Sequence, residues 1–191
     1  YEDYSERKYG NNHYEGPDAK HGTHVAGIIA GLPQGKEIQY GVGYKTAKIM
    51  TVRAVPNGDE RDKDVANSIR YAVDNGAKVI NMSFGKPVSP EKELVWEAFQ
   101  YAKDKGVLLV KAAGNENEDI QENPYFPTNF KSTKDEKPFI NNMIVVGAST
   151  NNNEFLRAGF SNFNQKMVNV FARGDKIYST VPDAKYEYLQ G

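Results

Sequence analysis

Short apolar runs alternate with stretches of helical periodicity along this chain, and that alternation predicts an α/β fold. The runs at 77–83, 107–113, 143–148 and 167–172 read as strands, and two stretches of 10–15 residues with helical spacing lie among them. Such an order calls for right-handed crossovers and a mostly parallel sheet. Helices on both faces would make it a three-layer α/β/α domain. At 191 residues, 39% hydrophobic and 26% charged, the chain is long enough for a single domain with its own core.

Each element has its own signal. Residues 1–20 are polar and aperiodic and read as loop leading into a helix at 21–31, entered through Gly22 and closed near Gly31. Ala47 to Val55 alternates and is β-leaning, so it reads as a strand, and Pro56-Asn57-Gly58-Asp59 follows as a turn. Asp64 to Asn75 carries Val65, Ile69, Ala72 and Val73 at helical spacing, with Gly76 as its stop. Ala77 to Ser83 reads as a buried strand. Ser89-Pro90 is then expected to cap a helix running to about Lys105, with Leu94, Val95, Ala98, Phe99 and Ala102 on one face. Val107 to Ala113 is the next strand, and 114–141 is a long Pro- and Asn-rich segment with little periodicity. Met143 to Ala148 and Met167 to Ala172 complete the set.

Composition excludes several functions. Twenty-four basic against 25 acidic residues leave a net charge of −1, which gives no electrostatic case for a nucleic-acid partner or a membrane surface. No apolar run reaches the roughly 18 residues of a spanning helix. Cysteine is absent, so disulfides and thiolate metal sites are out. Tyr1 begins no recognisable element or leader, which suggests an interior piece of a longer chain.

Three strings carry chemistry. His21-Gly22-Thr23-His24-Val25-Ala26-Gly27 is glycine-framed and opens an apolar run. A histidine at a helix start can face a cleft and act as a base near neutral pH, although a lone one is more often a solvated cap. Ala112-Ala113-Gly114-Asn115-Glu116 follows a buried strand, where an asparagine amide can donate to a developing oxyanion or simply make a turn. Asn81-Met82-Ser83-Phe84-Gly85 ends another strand at the same carboxyl rim, where ligands of parallel sheets bind.

Together, in this order and spacing, the strings resemble the subtilisin-like serine proteases, from about His21 to Gly191. The resemblance implies that His21 is the general base, with His24 a structural neighbour; His13 sits in a polar loop and reads as a surface residue. It implies that Asn115 stabilises the oxyanion; losing the corresponding donor of subtilisin costs about 2.7–4 kcal/mol. Ser83, Phe84 and Gly85, with Ala112, Ala113 and Gly114, would hold a polypeptide substrate by main-chain pairing and wall the pocket for the residue before the scissile bond. Asn57 and Gly58 align with a second substrate-flanking edge, where Glu60-Arg61 adds charge unusual for the family. Tyr125-Phe126-Pro127 aligns with the pocket floor, often with a cis peptide before the proline, and Tyr125 would narrow that pocket. The stretches Ala158–Phe163 and Phe171–Asp175 match structural turns, with Arg173 where the family has proline.

Two members of the Ser-His-Asp triad are not found. No apolar strand ending in aspartate precedes His21; Asp3 and Asp18 sit in polar loops. Gly191 resembles the first glycine of the nucleophile string, which puts the serine two residues later. The chain is therefore expected to be a fragment incomplete at both ends and inactive alone. Its exposed apolar surface should meet the missing pieces of the same domain or another copy. No cofactor is needed for the chemistry, although structural calcium is common in the family and no ligand set is visible. By resemblance alone the parent would be exported, extracellular or in the cell envelope. The alternative is a non-catalytic domain that keeps the peptide groove.

Overall fold

The computed structural model describes residues 10, 16, 18–33, 40–55, 58–152 and 154–191. Three helices, α1 (Lys20–Ala30), α2 (Asp62–Asp74) and α3 (Lys92–Asp104), are joined by six strands: β1 (Val79–Met82), β2 (Leu108–Ala112), β3 (Met143–Ser149), β4 (Val170–Arg173), β5 (Ile177–Val181) and β6 (Lys185–Leu189). The first four strands form one parallel sheet in the order β1-β2-β3-β4, and β5 and β6 form an antiparallel hairpin.

The core lies between one face of this sheet and the α2–α3 pair. Val65 and Ile69 of α2 meet Val95, Ala98 and Phe99 of α3, and behind them lie Met82, Leu109, Met143 and Val145 from the strands. Phe99 is fully buried, and each side chain of this size taken out of water contributes about 1.5–3 kcal/mol. Both helices stop at glycines in the left-handed region, Gly76 (φ 87°) and Gly106 (φ 70°), which turn the chain straight into β1 and β2. The long segment after β2 stays irregular, yet it adds Ile120, Phe130 and Ile140 to the core.

Several expectations shift. Ala47–Val55 alternates but is not a strand: the sheet ends at β1 on that side, and without a ladder to join, alternation alone does not make one. Ile49 and Met50 are exposed. Ser89 does not cap α3; Glu91 stands at the cap position, and Ser89 Oγ donates instead to Asp62 (2.8 Å). Among the described residues α2 and α3 cover one face of the sheet, and the other is less deeply buried. Val79, Leu108, Val110, Ile144 and Val146 point to the other face and stay partly exposed, because α1 packs on β5 rather than on the sheet.

The hairpin was not anticipated. Its turn holds Asp183 (φ 64°) and Ala184 (φ 55°), left-handed positions where glycine or asparagine is the usual signal. The alternation Ile177-Tyr178-Ser179-Thr180-Val181 was the only cue, and Val181 and Ser179 are indeed buried.

Candidate functional site

The carboxyl ends of β1 and β2 open side by side, and most of the anticipated residues gather there. Their parallel register pairs Met82 with Lys111, so Ser83-Phe84-Gly85 and Ala112-Ala113-Gly114 leave the sheet together. Between the two exits lies the ring of Tyr125. A Cβ placed on Gly85 would stand 2.8 Å from Tyr125 Cδ1 and from Phe126 O, and one placed on Gly114 would stand 2.9 Å from Tyr125 Cε1. Glycine at both exits is what lets the backbones close on the ring. The peptide bond between Phe126 and Pro127 is cis. An antiparallel bridge between Lys86 and Phe126 (N···O 2.9 and 2.8 Å) ties this segment to the end of β1.

Asn115 follows at the rim with its side chain exposed. Its backbone N–H donates to Glu116 Oε2 (2.8 Å), and a Cβ on Gly191 would come within 3.5 Å of its Nδ2. The loop owes its shape to Asn162, which is 1% exposed. Asn162 Oδ1 accepts from the N–H groups of Glu116 and Glu118 (both 3.0 Å), and its Nδ2 donates to Ala113 O (3.1 Å) and Glu116 Oε2 (2.6 Å). Sequence reasoning treated Asn162 as part of a structural turn and missed this role, because its partners lie more than 40 residues away.

His21 is exposed in the first turn of α1. His24, one turn on, is buried, and its Nε2 lies 3.0 Å from Ile177 O and 3.2 Å from Glu187 O. Both partners are carbonyls, so Nε2 carries the proton, and His24 anchors the helix to the hairpin. The same helix is held by Ser179 Oγ donating to His24 O (2.8 Å), by Thr180 Oγ1 donating to Thr23 O (3.0 Å), and by the Lys20–Glu187 ion pair. The segment through β6 runs between the start of α1 and the neighbourhood of Asn115. Its Glu187 pairs with Lys20 at the start of α1, and a Cβ placed on Gly191, four residues on, would stand 3.5 Å from Asn115 Nδ2. Four extended residues span at most about 14 Å. His13 and Asn57 lie outside the described residues. Gly58 is exposed at φ 123°, and nothing lies within 4 Å of a Cβ placed on it.

Beneath the rim sits a charged cluster that the sequence did not announce. Lys111, on β2, is 2% exposed; its Nζ donates to Ala112 O (2.6 Å) and lies 4.9 Å from the centre of the Tyr125 ring. Burial pulls its amine down to about 7, against the opposing pull of Glu60 and Glu116. Glu60 is turned inward rather than standing on a solvated turn. Burial raises its carboxyl, despite its backbone hydrogen bond and the charges of Lys86 and Lys111. Its Oε1 has no partner among the described residues. The Tyr125 hydroxyl is pushed far up, first by burial and then by the nearby carboxylate of Glu116. Alongside, Lys86 Nζ reaches Glu60 O (2.6 Å) and forms a buried ion pair with Asp62 (2.8 Å). Burial alone would raise the Asp62 carboxyl. Hydrogen bonds from Lys86, the Glu91 N–H and Ser89 outweigh that and hold it below the ordinary carboxylate range. Among the described residues no three His, Asp or Glu side chains gather at a metal-sized site, so no calcium ligand is assigned.

Comparison with known proteins fits this geometry: the model of the subtilase family matches residues 1–191. The chain belongs to the subtilase family. It is 36% identical, over 95% of its length, to a thermophilic serine proteinase from Bacillus sp. (strain AK1), and 37% identical, over 90%, to thermitase from Thermoactinomyces vulgaris. It covers 41% and 55% of those two relatives, so it spans about half their length. A cold-adapted subtilisin-like serine proteinase of known structure superposes on 90% of this subtilase chain, and on 55% of its own, with a TM-score of 0.70 at 32% identity. Two Bacillus subtilis relatives bear names that differ in location. One is a cell wall-associated protease (33% identity, 95% of this chain, 18% of the relative), the other a major intracellular serine protease (35%, 90% and 50%). No described helix is long and apolar enough to cross a membrane.

Proposed function

We propose that the whole protein is a serine endopeptidase that cleaves polypeptides through an acyl-enzyme. The observation that supports this most directly is the exposed Asn115 amide at the rim between the exits of β1 and β2, with the His21 helix tied to the same rim through β6. In this reading a peptide lies along Ser83–Gly85 and Ala112–Gly114 and pairs with them by main-chain hydrogen bonds. His21 takes the proton of the serine hydroxyl as that oxygen attacks the carbonyl, then delivers it to the leaving amine. The Asn115 Nδ2–H donates to the oxyanion formed in between. Neither the serine nor the aspartate that orients the imidazole is assigned to a residue of this chain, so the activity is that of the whole protein.

The test is covalent labelling of the whole protein with a fluorophosphonate, together with hydrolysis of an unfolded protein substrate. Labelling and hydrolysis are expected, both lost in His21→Ala, with a kcat about 10²–10³-fold lower in Asn115→Ala. Absence of label alongside intact peptide binding would leave a peptide-binding domain instead. The reading includes export from the cytoplasm, supported by the cell wall-associated relative. Recovery of the protein only from the soluble cell interior would overturn that part.

A further inference from the structure

Leu109, Lys111 and Ala113 alternate along β2 and its exit and are all buried, at 0%, 2% and 1% exposure. In register with Lys111 stand Met82 on β1 and Val145 on β3, both buried and apolar. An ammonium in this row breaks the pattern of its neighbours and costs stability unless it finds partners. Its partners lie towards the rim. Nζ donates to Ala112 O (2.6 Å), the carbonyl from which the chain runs into Ala113-Gly114-Asn115, and it lies 4.9 Å from the centre of the Tyr125 ring. The charges that act on it are Glu60, ahead of α2, and Glu116, after β2. Asp59 and Lys86 bear on Glu60 in turn, and Lys86 is itself paired with Asp62. Glu116 leads back to the rim: its Oε2 accepts from the Asn115 N–H (2.8 Å) and from Nδ2 of the buried Asn162 (2.6 Å).

We propose that Lys111 is a positioning residue for the reaction: its positive charge, held beneath the rim, fixes the Glu116 carboxylate and through it the Asn115 amide, so that turnover falls when the amine loses its proton. This inference rests on the endopeptidase reading above. A neutral amine still donates to Ala112 O, so the end of β2 stays in place. What is lost is the attraction for Glu116 and for the face of Tyr125. Glu116 is then held less firmly, and so is the loop that carries Asn115. Burial holds the amine near 7, so this loss begins near neutral pH rather than near pH 10. His21 works in the opposite direction. As a base it must be neutral, so its own titration raises turnover as pH rises.

The experiment measures kcat and KM of the whole protein on one peptide substrate between pH 6 and pH 9.5. Wild-type kcat is expected to rise and then fall by roughly 5- to 20-fold on the alkaline side, with KM within about threefold. Lys111→Met keeps a side chain of similar length without the charge. Its kcat should lie roughly 5- to 20-fold below wild type at the wild-type optimum and show no falling limb, so that the two curves meet at high pH. Glu116→Gln removes the other end of the attraction and should lose the falling limb as well; it also serves if Lys111→Met does not fold. A lysine with only a structural role would lower Tm in the variant and leave the shape of the profile as it is. A wild-type kcat that does not fall, a falling limb that survives in whichever variant folds, or an effect confined to KM would overturn the proposal. Fluorophosphonate labelling in the same samples separates this outcome from the reading beneath it. Label with an unchanged profile overturns the role of Lys111 alone, whereas absence of label at every pH overturns both.

Discussion

Asn162 shows how much of a rim can hang on one buried amide. It uses its oxygen twice and its nitrogen twice, and it joins Ala113, Glu116 and Glu118 around the residue whose side chain faces the cleft. Asn162→Ala leaves two N–H donors and a carbonyl unpaired, which should cost about 2–4 kcal/mol. It should also lower kcat more than it raises KM, because the position of Asn115 is lost rather than the groove. Urea unfolding of the inhibitor-bound whole protein and steady-state kinetics check the two parts, and a kcat within twofold of wild type would contradict the second. Lys111 supplies a pH signature. Burial holds its folded value near 7, below the ordinary 10.5, so between those values the unfolded chain binds more protons than the folded one. This group's contribution to stability therefore rises from pH 7 towards pH 10. Replacing it in Lys111→Met should abolish that part of the slope, so the wild type gains on the variant as pH increases, read as the difference in Tm between pH 7 and 9.5. A difference that stays flat over that range would mean the amine is not held down by burial. That Asn115, Gly85 and Gly114 lie at the strand exits is legible in the sequence, because their strings are local. The placements of Asn162, Lys111 and Glu60 are not, because their partners are brought in by the fold.

The α1–hairpin contact is the element that decides where His21 stands. Gly27 faces Ser179 and Thr180 so closely that a Cβ there would overlap both hydroxyl oxygens and approach Thr180 Cβ at 3.2 Å. That closeness is what lets the two hydroxyls donate to helix carbonyls at Thr23 and His24. Gly27→Ala would raise helix propensity yet push α1 off the strand. Displacement of a base by about 1 Å can cost on the order of 10²-fold in rate. The variant should therefore lose kcat by roughly 10- to 100-fold while peptide binding along β1 and β2 is kept, measured as kcat against the Kd of a non-cleavable peptide. An unchanged kcat would mean that His21 is not held by this contact. The helices were readable from periodicity and their glycine stops. Ala47–Val55 was misread because alternation reports a face to bury, not a ladder to join, and the hairpin was missed because Asp183-Ala184 carries a turn without its usual residues.

At the scale of the whole molecule the sheet is lopsided. One face is sealed by α2 and α3 around Phe99 and Leu109, and the other carries Val79, Leu108, Val110, Ile144 and Val146 with no described helix upon it. The strands' two-residue alternation explains both faces: Leu109 enters the sealed core, so Leu108 and Val110 must point away from it. A parallel sheet is stable when both faces are covered, so this second face needs an apolar layer. Residues 1–191 expressed alone are expected to bind an apolar dye such as ANS and to self-associate, at a concentration where the whole protein does neither. Light scattering after size exclusion reads the association. Val110→Thr with Val146→Thr should weaken both signals without touching the sealed core. Persistence of association in that double variant would point instead to the exposed Phe155-Leu156 loop as the sticky surface. A monomer that ignores the dye would overturn the expectation that this face needs a further apolar layer.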